Sequence, residues 1–194
     1  MIAGHFGFAA AVKSRETAAP LWALMLATVW LDVVFVPLFL THVETIKAVS
    51  GPPGAYGGGE IFADYTHSLV GAVALSVLLG LGALVLWGRR SGLVIGAVAF
   101  SHWLLDLVVH RADMPILPGD IGRLPRLGLG LWRWPSASAG LELLLVLIGA
   151  ALYWRAAAKA THAAGRGPLL PTVAGSLTLA FGVLVLALDL FSAR

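Results

Sequence analysis

Two ionisable residues one helical turn apart, His102 and Asp106, sit in the apolar stretch Phe100-Ser101-His102-Trp103-Leu104-Leu105-Asp106, and Asp32 sits in another apolar run. Such groups are costly inside a bilayer, so they are candidates for chemistry by default. The i, i+4 spacing stacks both side chains on one helix face about 6 Å apart, a gap one metal ion can bridge. His110 continues the series but lies about 12 Å along the axis from His102, too far for all three to bind one ion. His67, in Asp64-Tyr65-Thr66-His67-Ser68, falls near the level of Asp106. Asp32 falls about two-thirds of the way across its own span, and His5 can approach it from the opposite side. Imidazole and carboxylate are the ligands that a zinc or similar divalent site without cysteine needs. Asp64, Glu142 and His110 fall near the outer boundary, where water is available, and are candidate general bases.

The chain that must position these groups has 194 residues, 59% of them hydrophobic and 12% charged, with a mean hydropathy of +0.89. A soluble domain carries about twice that charged fraction, so the composition is that of an integral membrane protein. The absence of cysteine excludes disulfides, thiolate nucleophiles, iron–sulfur clusters and covalent c-type haem. The net charge of +3 comes from basic singles and pairs beside apolar segments and forms no patch for nucleic acid.

Five segments, near 19–41, 65–87, 91–110, 137–155 and 169–190, are long enough to cross about 30 Å of hydrocarbon. The expected architecture is an all-α polytopic bundle of about five transmembrane helices in a single integral membrane domain, 1–194. Ile2 to Val12 is apolar but too short to cross and reads as an N-terminal half-helix turning back at Lys13-Ser14-Arg15-Glu16. It lacks the basic start and small-residue cleavage site of a signal peptide. The short turn Gly88-Arg89-Arg90-Ser91-Gly92 marks the cytoplasmic side by the positive-inside rule, which places the N-terminus in the cytoplasm of a plasma membrane. Trp22, Trp87 and Trp154 then fall at cytoplasmic helix ends, with Trp132 and Trp134 opposite.

Two loops complete the frame. His42 to Phe62 contains Gly51-Pro52-Pro53-Gly54 and Gly57-Gly58-Gly59, which favour turns, and it lacks the ending of a phosphate-binding loop. It reads as an external connector. Arg111 to Ser136 alternates Pro, Gly and Arg with apolar residues, which suits either a lid over the enclosed site or an ordinary interfacial loop.

Singly, each histidine reads equally well as a helix–helix hydrogen bonder worth around 1 kcal/mol. Together, several His and Asp groups at one depth make either a polar packing core or a metal site. Haem held by His67 and His102 is a further, weaker reading.

His5 in a short N-terminal helix, an Asp late in the first span, Thr66-His67-Ser68 opening another, and Ser101-His102-Trp103-Leu104-Leu105-Asp106 resemble the YdjM-like family of bacterial inner-membrane proteins, classed as metal-dependent hydrolases. The resemblance covers roughly residues 1–120, and Thr-His-Ser and His-x-x-x-Asp are its most specific elements. It implies His5, Asp32, His67, His102 and Asp106 as metal ligands and a location in the bacterial inner membrane. The chain departs where the family has Pro-Asp-x-Asp, keeping one carboxylate in Leu31-Asp32-Val33-Val34. It departs again where the family has His-Arg before Thr-His-Ser, with Phe62-Ala63-Asp64-Tyr65 in its place. Both departures point to a single ion. The expectation is a zinc-dependent hydrolase of lipid or lipid-linked esters or phosphoesters, the long loop's arginines meeting the head group. The rival is a non-enzymatic subunit or small permease, bound to partner membrane subunits, whose His and Asp groups pack helices or relay protons.

Overall fold

A computed structural model describes residues 1–48 and 58–191. Its helices are α1 (Ile2–Lys13), α2 (Leu21–Thr28), α3 (Trp30–Leu40), α4 (Leu69–Val109), α5 (Pro135–Ala163) and α6 (Leu169–Phe191). Among the described residues the fold is mostly helical, with an antiparallel hairpin of β1 (Thr45–Ala48) and β2 (Gly59–Phe62) in which Thr45 lies opposite Phe62. The hairpin lies in the connector where sequence suggested only turns. Gly51-Pro52-Pro53-Gly54 and Gly57 lie outside the described residues.

Three helices, α4, α5 and α6, are long and apolar enough to cross a membrane, or up to four spans if the bent pair α2–α3 counts as one. At 1.5 Å per residue a straight α4 would run about 60 Å, twice the hydrocarbon thickness. It does not run straight. Gly88 takes φ 82°, ψ 173°, a conformation only glycine adopts freely, and breaks the helix into halves 69–87 and 89–109. The halves fold onto each other where glycines let backbones meet: a Cβ on Gly80 would lie 2.9 Å from the Gly92 carbonyl and 3.2 Å from the Gly96 Cα.

The first span differs from the uninterrupted helix expected over 19–41. It bends by 51° between α2 and α3 around Val29, whose φ of −116° and ψ of 17° are not helical. The half-helix is present as expected. α1 packs mainly on α5, then on α2 and α6. A Cβ on Gly149 would overlap the Gly7 carbonyl, so the two backbones touch at this pair. Glu142 Oε2 accepts the Gly4 N–H at 3.0 Å and supplies the cap that the start of α1 lacks locally.

The opposite end of α1 is latched by Glu16. One oxygen accepts from Ala18 N (2.9 Å), Ala19 N (3.1 Å) and Ser91 Oγ (3.1 Å), while the other faces Arg90 Nε at 3.4 Å. Burial opposes ionisation, but the two backbone N–H groups, Ser91 and Arg90 outweigh it and hold the carboxyl below its ordinary range. A depressed folded-state pKa contributes stability above the unfolded glutamate pKa, and that stability is lost as pH falls through the folded one. Glu16→Gln is therefore expected to cost about 1–3 kcal/mol at pH 7. In thermal unfolding in detergent, the gap to wild type should close as pH drops below the glutamate range. A gap that does not depend on pH would show that the carboxylate's charge is not what holds the latch.

Candidate metal centre

The turn 63–68 and the N-terminus of α4 set His67. His67 N donates to Ala63 O at 3.0 Å, Ser68 Oγ caps the helix by accepting from Gly71 N at 3.1 Å, and Trp103 Nε1 fixes the His67 carbonyl at 2.9 Å. The second half of α4 carries His102 and Asp106 at i, i+4 on one face, and His110 follows as the residue that caps its C-terminus. α1 brings His5, and the first turn of α3 brings Asp32.

These groups converge. His102 Nε2 lies 3.0 Å from Asp106 Oδ2 and 3.2 Å from His67 Nε2. His67 Nε2 lies 3.8 Å from the same carboxylate oxygen, and His110 Nε2 3.7 Å from it. Asp32 Oδ1 stands 3.5 Å from His67 Nε2 and 3.6 Å from His102 Nε2. His5 Nε2 meets the other Asp106 oxygen, Oδ1, at 3.0 Å, and its ring stacks on His102 at 4.1 Å. Among the described residues two triads could each hold a metal ion: His5–His102–Asp106, wholly buried, and Asp32–His67–His102, in which Asp32 is half-buried.

The far sides of the rings fix the protons. His102 Nδ1 lies 2.8 Å from the Thr28 carbonyl, which only accepts, so Nδ1 carries the hydrogen. That carbonyl is free because the bend at Val29 takes it out of the helical ladder. Thr66 Oγ1 donates to Glu44 Oε2 at 2.8 Å and has only a lone pair left for His67 Nδ1 at 2.9 Å. His110 Nδ1 faces Asp113 Oδ1 at 2.9 Å. With Nδ1 protonated, each of these rings either carries a second proton on Nε2 or turns a bare Nε2 lone pair toward the Asp106 and Asp32 oxygens. The spacing of 3.0–3.8 Å needs a cation among these groups, a proton or a metal ion.

No known family, curated protein or solved structure matches the chain. The site's own geometry therefore carries the functional argument.

Of the residues singled out in sequence, the structure gathers His5, Asp32, His67, His102, Asp106 and His110. His110 Nε2 stands 3.7 Å from Asp106 Oδ2 and belongs to neither triad. Two candidate bases lie elsewhere. Glu142 is fully buried and capping α1. Asp64 faces Arg126 at 3.1 Å, a guanidinium that also holds Asp120 at 3.0 Å and so clamps the long loop to the start of α4. That loop covers the site's outer end. Gly130 N donates to His110 O, Leu127 and Met114 form a backbone bridge, and the Trp132 ring lies 4.4 Å from the His110 ring.

Sequence reading missed the outer partners Thr28, Glu44 and Asp113. Asp113 follows His110 at i+3 and Thr66 adjoins His67, so two of the three relays left a local trace. Glu44 did not: it reaches across from the connector, accepting Tyr65 N at 2.8 Å and Thr66 N at 2.9 Å.

Proposed function

We propose that this chain is a membrane-embedded, metal-dependent hydrolase with one zinc ion, acting on a lipid or lipid-linked ester or phosphoester in a bacterial inner membrane. The carrying observation is the convergence of ring Nε2 atoms on the Asp106 carboxylate, each ring held by an acceptor behind it. The resemblance to the YdjM-like family agrees with this reading through the same residues.

Zinc is favoured by the spacing. Arms of 2.0–2.1 Å in a tetrahedron give ligand–ligand edges of about 3.3–3.4 Å. The edges among His67 Nε2, His102 Nε2 and Asp106 Oδ2 are 3.2, 3.0 and 3.8 Å. A divalent ion held there supplies Lewis acidity and an activated water. His5 donates to Asp106 Oδ1 and orients that carboxylate. His110, backed by Asp113, is placed to take a proton at Nε2 and return it to the leaving oxygen, the general-base role that Asp64 and Glu142 are too far committed to fill. We also propose five crossings: the bent pair α2–α3, the two halves of α4, α5 and α6. The Arg89-Arg90 turn would face the cytoplasm, with α1 as a re-entrant half-helix.

The contact run Asp113–His110–Asp106–His5 favours the second reading, a proton-relaying subunit, because each neighbour is within 3.7 Å of the next. One experiment separates them. Protein purified in detergent without a polyhistidine tag should hold about one equivalent of zinc and cleave ester or phosphoester lipids. Folded protein that takes up neither zinc nor manganese would end the hydrolase reading.

A further inference from the structure

Asp32 stands apart from the other ligands. Its side chain is 38% exposed, against 5% or less for His67, His102 and Asp106. Its distances of 3.5 and 3.6 Å to His67 Nε2 and His102 Nε2 nonetheless place it within reach of an ion those two nitrogens hold. A four-ligand zinc site built wholly from protein is closed, whereas a catalytic one keeps a corner for water or substrate. The same geometry therefore looks structural by ligand count and catalytic by exposure.

We propose that Asp32 is a displaceable fourth ligand: it closes the coordination shell at rest and gives up its corner to a water or substrate oxygen arriving along the face of α3. The inference rests on the metal reading above. The exchange is a simple ligand substitution, in which the Asp32 oxygen's bond to the ion breaks and one to the incoming oxygen forms.

The helix that carries Asp32 is sparsely packed. α3 packs chiefly on α4 and touches α2 only at the bend. Its ends are pinned, by the Thr28 carbonyl on His102 Nδ1 at one side and by buried Glu44 on the Tyr65 and Thr66 N–H groups at the other. Between the pins, Pro37 removes a helical N–H and weakens the ladder. His67, His102 and Asp106 enjoy no such freedom, since each is buried and the rings are held by partners behind them. The flank of α3 beside Asp32 is apolar and exposed at Val33, Val36, Phe39 and Leu40. Together with the loop packed over the His110 end, this directs access from the hydrocarbon side and selects an acyl-bearing amphiphile.

The test uses cobalt in place of zinc. Stripped, untagged protein is refilled with one equivalent of Co²⁺, its visible d–d spectrum is recorded, and azide is titrated in, for wild type, Asp32→Ala, Asp32→Asn and Asp106→Ala. Affinity is measured by competition with a chromophoric chelator. Wild type should give a four-coordinate spectrum that azide shifts only at high concentration, as the anion displaces the Asp32 carboxylate. Asp32→Ala should keep one equivalent but bind it more weakly, with a spectrum that azide shifts at far lower concentration. Asp32→Asn, nearly isosteric, guards against a folding defect and should behave likewise. An Asp32→Ala protein that binds cobalt as tightly as wild type, or a wild-type spectrum that saturating azide leaves unchanged or that azide shifts as readily as the variant's, would overturn the assignment while leaving the metal site intact. Wild type that binds no cobalt would remove both proposals, and this is visible before any variant is compared.

Discussion

Asp106→Ala is expected to empty the site of metal altogether. This carboxylate is the one group that all the other ring nitrogens share: Oδ1 takes His5, and Oδ2 faces His102, His67 and His110. Its removal leaves four imidazoles with the half-exposed Asp32 as the remaining carboxylate beside His67 and His102. Breaking a buried charged contact in this way costs about 3–5 kcal/mol, because the surviving partners stay desolvated. The expected result is metal below detection, loss of any hydrolysis, and a melting temperature that no longer rises when zinc is added, as ligand linkage would require. Asp106→Asn preserves volume and checks the fold: it should run as a monodisperse peak yet also fail to gain stability from zinc. Zinc stabilisation equal to wild type in Asp106→Asn would place the ion elsewhere.

Gly149→Leu is expected to lift α1 off the bundle. The Gly7 carbonyl lies against Gly149 so closely that even a Cβ has no room, and backbone cannot yield as a flexible side chain can. Overpacking costs about 1–3 kcal/mol where side chains can rearrange. Here the half-helix must separate, taking His5 away from Asp106. Gly140→Leu is the control on the same helix, since a Cβ there meets nothing within 4 Å. The chain has no cysteine, so Ala3→Cys, fully buried in wild type, gives a single thiol for labelling. A permeant maleimide should label that thiol in the Gly149→Leu background and leave it protected with Gly140→Leu. Equal protection in both would mean that the Gly7–Gly149 contact does not seat α1.

Much of the centre could be read along the chain, because its ligands come in short repeats. The i, i+4 pair His102–Asp106 and the Thr66-His67-Ser68 helix start depend only on local geometry, and both met at the site. The half-helix was legible from its length, and Gly92 and Gly96 carry a small-xxx-small spacing that accounts for the α4 fold-back. What stayed hidden depends on direction around a helix rather than depth along it. Glu142 has the expected polar character within an apolar helix, but it points at the start of α1 and not at the histidines. The break at Val29 has no glycine or proline to announce it, for Pro37 comes two turns later. That break releases the Thr28 carbonyl, so the partner of His102 could not be read without it.

The cap that Glu142 places on Gly4 joins residues 138 positions apart. During synthesis, His5 leaves the ribosome before every other residue of the centre, yet the helix it packs on most, α5, emerges long after it. At 5–20 residues per second the interval is roughly 7–28 s. The cluster is therefore completed late in biogenesis. His67, His102, Asp106 and His110 can assemble as soon as the α4 hairpin is inserted, and the half-helix closes over them afterwards, like a door hung before its frame is built.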